Sequence, residues 1–324
     1  MNADQKRYEI AVLDAVTLGE DLDLSPLDGI GRVAVYPNTA RGEISARLAN
    51  AEVCLINKVR LGREELESAS RLKLICVAAT GYDNVDVAYC ESRGIAVCNV
   101  AGYSTASVCQ LTVATALWLV TKLGAYTAAV SDGRYSAGGS ANILSPVWHE
   151  ISGMTWGIAG YGNIGRSVGA VARSLGCRVL AFARSDKGDA EYAGLDRLCR
   201  ESDIISVHLP LNDATRGIFS AEKIALMKKN CIFVNAARGA VADEEALAEA
   251  VLAGRIGGLG CDVYSSEPFR SDHPFYRLRG LDNVCLTPHM AWGSAEARKR
   301  CLNEIILNVR AFGAGERRNR VDRG

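Results

Sequence analysis

The segment that most constrains the fold runs from Thr155 to Phe182. An apolar run, Thr155–Ala159, meets the turn Gly160-Tyr161-Gly162-Asn163-Ile164-Gly165, which opens a helical pattern and leads to a second apolar run, Arg178–Phe182. A G-x-G-x-x-G alone marks many turns, but between a strand and a helix it has the context of a dinucleotide-binding turn. Gly160 permits the tight turn, Gly162 lets backbone approach a pyrophosphate, and Gly165 allows close packing of helix on strand. The helix N-terminus then offers N–H groups to the phosphates. Gly160, Gly162, Asn163, Ile164 and Gly165 are therefore expected to bind a cofactor.

The rest of the chain repeats the same rhythm. Before the turn, strands are expected at Ile10–Leu13, Arg32–Tyr36, Val53–Ile56, Leu72–Ala78 and Ile95–Asn99, with helices at Gly42–Ala49, Arg63–Ala69 and Val85–Arg93. After it, strands are expected at Ile204–His208, Cys231–Asn235, Gly258–Val263 and Val284–Thr287, and a last helix at Ser294–Phe312. Such alternation argues α/β architecture, here two doubly wound parallel-sheet domains joined near residue 100. A length of 324 residues suits two domains. The final helix is expected to return to the first of them. Between the halves, Ser104–Leu123 is the longest helical pattern, and the irregular stretch Ser131–Pro146 is expected to pack on another subunit.

Composition narrows the function. Lys+Arg and Asp+Glu are balanced at 37 each, which argues against a nucleic-acid partner held by bulk charge. The C-terminal cluster Arg317, Arg318, Arg320 and Arg323 reads as a solvated tail. From Gly94 to Thr121 no residue is charged, but polar residues interrupt the stretch and its first part reads as strand and loop, so the later part reads as a buried or interface helix and not a membrane span. The 11 cysteines show no C-x-x-C spacing and mostly sit in apolar runs, as packing residues in a reducing cytosol would. No metal site is expected. The polar start of the chain has no signal-peptide core, which again points to the cytoplasm.

At the end of the second strand of the glycine unit, an acid would bind both ribose hydroxyls of NAD. The chain has Ala183 there, followed by Arg184 and Ser185. A carboxylate would repel a 2′-phosphate, whereas a guanidinium and a hydroxyl could bind one. The expected cofactor is NAD(P)(H), with a lean toward NADP(H). Asp186 complicates that preference.

Three later loops place polar groups directly after apolar strands: Asn235-Ala236-Ala237-Arg238-Gly239, Asp262-Val263-Tyr264-Ser265-Ser266-Glu267-Pro268, and Thr287-Pro288-His289. Loops beyond the carboxyl ends of parallel strands line a ligand crevice, so Arg238, Glu267 and His289 could converge.

With these motifs in this order, the chain resembles the D-isomer-specific 2-hydroxyacid dehydrogenases over nearly its whole length. Ala78-Ala79-Thr80-Gly81-Tyr82-Asp83-Asn84 is similar to that family's substrate-carboxylate loop, and Gly102-Tyr103-Ser104-Thr105 with His289-Met290-Ala291-Trp292 resemble the glycerate dehydrogenase (hydroxypyruvate reductase) branch. The resemblance implies a Rossmann-type cofactor domain, 101–290, inserted in a flavodoxin-like substrate domain, 1–100 plus 291–324. It implies that Arg238 grips the substrate carboxylate and polarises the keto oxygen, that His289 transfers the proton, and that Glu267 pairs with His289. It further implies backbone N–H groups of Ala79, Thr80 and Gly81 on the carboxylate and Asp262 on the nicotinamide carboxamide. Thr105, Pro210 and Ala236 would line the cofactor, and His208 its adenine side; His149 and His273 read as structural or incidental. The implied reaction is reduction of a small 2-keto acid to a D-2-hydroxy acid by a homodimer, hydroxypyruvate to D-glycerate first and glyoxylate to glycolate second. The rivals are another small 2-keto acid, or a non-catalytic dinucleotide-sensing scaffold.

Overall fold

The computed structural model describes residues 7–186 and 188–323. The polar N-terminal stretch, apart from Arg7, lies outside them. The chain divides into two compact units, one running up to Ser104 and resuming at Gly293, the other spanning Thr105–Trp292.

The first unit is a five-stranded parallel sheet of β1 (Tyr8–Val12), β2 (Gly31–Val35), β3 (Val53–Ile56), β4 (Leu74–Val77) and β5 (Ala96–Cys98). The order is β2-β1-β3-β4-β5, the flavodoxin-like order expected. Strands β3 (Val-Cys-Leu-Ile) and β4 (Leu-Ile-Cys-Val) are buried at every position. Parallel strands covered on both faces must be apolar throughout, which is why they read as continuous runs.

The helix Ala295–Gly313 belongs to this unit, as expected, and starts where the Ser294 hydroxyl accepts the Ala297 N–H at 3.3 Å. The arginine-rich tail is not a solvated one. It lies antiparallel along β5, with Asn99 N–H donating to Asn319 O (3.1 Å) and Val321 N–H to Val97 O (2.9 Å). Arg318 pairs with Glu304 at 2.6 Å, and Arg320 pairs with Asp322, whose carboxylate also accepts the Val97 N–H. The cluster closes a sheet edge that would otherwise present unpaired backbone.

The second unit holds β6 (Thr155–Ala159), β7 (Arg178–Phe182), β8 (Glu191–Tyr192), β9 (Ile204–Val207), β10 (Ile232–Asn235), β11 (Gly258–Cys261) and β12 (Val284–Leu286). All pairs are parallel in the order β12-β11-β10-β9-β6-β7-β8, a Rossmann-type sheet whose strand order reverses between β6 and β9. Trp156, Phe219, Phe233 and Phe275 are fully buried here, each contributing about 2–3 kcal/mol through area removed from water. The long apolar helix is shorter than expected. Thr105–Val120 ends at Lys122, which takes a left-handed φ of 54°, and a second helix, Leu123–Ser131, leaves at 68°. The arm beyond is not wholly irregular, since Arg134–Ala137 forms a short helix. Among the described residues no single helix is long and apolar enough to cross a membrane.

All eleven cysteines are free thiols, and only Cys285 is not buried. Burial pushes the Cys90 and Cys199 thiols up to about 12, so these side chains pack and do not react.

Candidate active site

The glycine turn is built as its sequence requires. Gly160 has φ +99°, and a Cβ there would lie 2.6 Å from the His208 carbonyl. A Cβ on Gly165 would lie 2.1 Å from Gly160 O, so helix and strand touch backbone to backbone. Gly162 differs: its backbone is extended and a Cβ would meet nothing within 4 Å. It is the N-cap of the helix Asn163–Ser174, and no side chain caps that end. The first N–H groups of the helix have no acceptor within the helix. Open space over an uncapped helix N-terminus is a cradle that fits a pyrophosphate.

At the edge of this cradle Trp156 Nε1–H donates to Ser206 Oγ at 3.0 Å, and Ser206 Oγ lies 3.1 Å from His208 Nε2. His208 Nδ1 is sealed from solvent and has no hydrogen-bond partner among the described residues. Burial lowers the His208 pKa to about 3, so the ring is neutral at ordinary pH. Pro210 is exposed beyond it. At the end of β7, Ala183 is half-buried and Arg184, Ser185 and Asp186 are exposed. Asp186 is engaged in its own turn, its Oδ1 accepting the Gly188 N–H at 2.7 Å.

The second cluster lies beyond β10, β11 and β12. His289 Nδ1 is 2.6 Å from Glu267 Oε2, and Glu267 Oε1 accepts the Tyr264 N–H at 2.9 Å. The histidine has a left-handed φ of 54°, a conformation that costs a non-glycine residue roughly 1–3 kcal/mol and persists only where its surroundings hold it. Asp262 holds it. One carboxylate oxygen accepts the Thr287 hydroxyl (2.6 Å) and the Met290 N–H (2.8 Å), and the other accepts the Ala291 N–H (2.8 Å). Burial nevertheless raises the Asp262 pKa above the ordinary carboxylate value. Asp262, Ala236, Thr112 and Thr287 line a small pocket here. Arg238 starts the next turn of chain, its backbone O accepting from Asn235 Nδ2 at 2.9 Å. A Cβ on the following Gly239 would lie 2.1 Å from the Tyr264 carbonyl carbon, so the Arg238 and Glu267 loops are in backbone contact.

Sequence reasoning did not find the role of Asp262 as the clamp on His289, because its partners are mostly backbone N–H groups. Thr105 is the half-buried first residue of the helix Thr105–Val120. Ala79, Thr80 and Gly81 lie in the first unit. There Val100 N–H donates to Ala79 O (3.0 Å), Asn99 Nδ2 to Thr80 O (2.7 Å) and Thr80 Oγ1 to Val100 O (3.0 Å), which braces the loop from β5.

Residues 113–291 match the model of the D-isomer specific 2-hydroxyacid dehydrogenase NAD binding domain. The chain is 34% identical to a hydroxypyruvate reductase of Blautia hydrogenotrophica, over 97% of this chain and 100% of that protein. It is 36% identical to a glycerate dehydrogenase of Methylorubrum extorquens, over 93% and 98%. Among solved structures, an acyclic imino acid reductase (Bsp5) in complex with NADPH and D-Arg superposes with a TM-score of 0.85 at 28% identity, covering 97% of this chain and 99% of that one. With a nicotinamide dinucleotide domain of this topology and relatives of this closeness over their full length, the chain belongs to the D-isomer specific 2-hydroxyacid dehydrogenase family of oxidoreductases.

Proposed function

We propose that this dehydrogenase reduces hydroxypyruvate to D-glycerate, with glyoxylate as a secondary substrate, and that it prefers NADPH. The observation that carries the reaction is the 2.6 Å Glu267–His289 pair. With Nδ1 tied to Glu267, the ring transfers its proton through Nε2. Glu267 orients the ring. Arg238 binds the substrate carboxylate and polarises the keto oxygen, a task suited to a guanidinium fork. The resemblance assigns the N–H groups of Ala79, Thr80 and Gly81 to a substrate carboxylate. The bound nicotinamide supplies the hydride. Asp262 keeps His289 in its strained turn and contacts the carboxamide; Thr105, His208, Pro210 and Ala236 line the dinucleotide.

NADPH preference rests on Arg184 and Ser185 and on the absence of an acid at Ala183. The engagement of Asp186 with Gly188 supports it. The choice of hydroxypyruvate rests on the two named relatives. The apolar residues exposed along the bent helix and arm, with Val130 at 62%, Leu144 at 74% and Val147 at 71%, support a homodimer. Free thiols throughout suit the cytoplasm.

The deciding experiment follows NADPH and NADH absorbance over a panel of 2-keto acids. Hydroxypyruvate with NADPH is expected to give the highest kcat/KM, and His289→Ala to lower kcat by about 10³-fold with NADPH affinity retained. No turnover on any keto acid rejects the enzymatic reading in favour of a dinucleotide-sensing scaffold. Equal kcat/KM with the two cofactors rejects the preference.

A further inference from the structure

A second Glu–His pair lies outside the residues assigned above. Glu244 and His273 are each only 8% exposed, with His273 Nε2 3.0 Å from Glu244 Oε2. His273 Nδ1 accepts the Phe275 N–H at 3.1 Å, so the ring's proton sits on Nε2 and points at Glu244. Phe269, Tyr264 and Phe275 surround the ring at centroid distances of 4.9, 5.8 and 5.3 Å. The remaining capacity of the Glu244 carboxyl goes to one residue: Oε1 accepts the Ser265 N–H at 2.9 Å, and Oε2 accepts the Ser265 hydroxyl.

Ser265 follows the residue that links the loops of the proposed catalytic groups. The preceding Tyr264 N–H holds Glu267 Oε1, and the Tyr264 hydroxyl donates to Thr287 O at 2.9 Å, two residues before His289. On the other side, a Cβ on Gly239, next to Arg238, would lie 2.2 Å from Ser265 N. Tyr264 and Ser265 together thus touch the loops of Arg238 (through their shared peptide), Glu267 (through the Tyr264 N–H) and His289 (through the Tyr264 hydroxyl), and Glu244 is the buried group that fixes the Ser265 end. We propose that Glu244, oriented by His273, is a positioning residue that sets the Glu267–His289 hydrogen bond. This rests on the catalytic reading of that pair.

A carboxyl is needed because all three of its neighbours are donors. In Glu244→Gln the shape stays, but one terminal atom becomes a donor facing donors. The amide is expected to turn the Ser265 peptide and loosen Glu267 from His289. Misplacing a reacting group by about 1 Å costs up to 10²-fold, so kcat is expected to fall at least tenfold. KM for the keto acid and the dissociation constant for NADPH, measured by fluorescence, should change less than twofold. Ser265→Ala removes one donor at an exposed site and should act in the same direction, more weakly.

The readout independent of turnover is the His289 Nδ1–H proton resonance, shifted downfield by its short bond to Glu267. It should move upfield in Glu244→Gln, less so in Ser265→Ala, and return in Glu244→Asp to the extent that kcat does. If both variants fold and keep the wild-type resonance and kcat, Glu244 is structural and the proposal fails. If Glu244→Gln does not fold, Ser265→Ala decides on the same two readouts. A wild-type protein inactive on every keto acid would overturn the catalytic reading, while the resonance would still decide whether Glu244 positions the pair.

Discussion

The two sheets of this protein share a design and use it for opposite ends. Each is parallel, and each reverses its strand order once, between β1 and β3 in the first unit and between β6 and β9 in the second. Ligands of open α/β sheets bind at such reversals. In the second unit the reversal is left open: Gly162 caps the helix with no side chain over it, and His208 Nδ1 has no partner among the described residues. In the first unit the same place is filled by the chain itself. Asp14, directly after β1 and 3% exposed, accepts the N–H groups of Asn57 (2.9 Å), Lys58 (2.6 Å) and Val59 (3.0 Å) beyond β3. A carboxylate takes the N–H groups in the first unit where the second leaves a helix N-terminus without a side-chain cap. The difference between the filled and the open reversal is here one acid on one side and one bare glycine on the other.

That contrast can be broken from either side. Gly162→Asp would give the second unit the carboxylate of the first. Its backbone is extended and its Cβ would meet nothing, so the fold should survive. The new carboxylate would take the helix N–H groups and repel a pyrophosphate. A charge-assisted hydrogen bond contributes about 1.5–3 kcal/mol, so roughly hundredfold weaker NADPH binding is expected by fluorescence titration. Binding within threefold of wild type would mean that the phosphates sit elsewhere. The reverse change, Asp14→Asn, keeps the shape and puts an amide donor against backbone donors. It should cost about 2 kcal/mol in urea unfolding and lower hydrogen-exchange protection at residues 57–59, without creating affinity for NADPH.

How legible these features were depended on whether neighbours in sequence or neighbours in space decide them. Strands such as β3, β4 and β6 are apolar at nearly every position because both faces are covered, and the sequence shows that directly. The two-residue edge strand β8, Glu191–Tyr192, has no such pattern and was not foreseen. The bend at Lys122 is hidden because apolar residues continue across it. The tail looked solvated because the partner of Arg318, Glu304, stands a helix away in sequence. Within the site, Arg238, Glu267 and His289 are legible because each follows a strand. Glu244 is not, because an acid in the first turn of a helix is ordinary there. Its partners come from residues 265 and 273.

The smallest expected effect concerns His208, the group that marks the open reversal. Its pKa is lowered to about 3 by burial, against an ordinary value near 6.5. Between those values the unfolded chain binds a proton that the folded ring does not. Stability therefore rises with pH across this window, and is lost progressively as pH falls from about 6.5 toward 3. His208→Gln, whose amide can still meet Ser206, is expected to flatten the fall in unfolding free energy between pH 6.5 and 4.5 by the slope of one proton. If His208→Gln leaves the slope unchanged, the ring is protonated in the folded protein. The neutral ring at the edge of the cradle would then have to be given up, and with it one of the two features that distinguish the open reversal from the filled one.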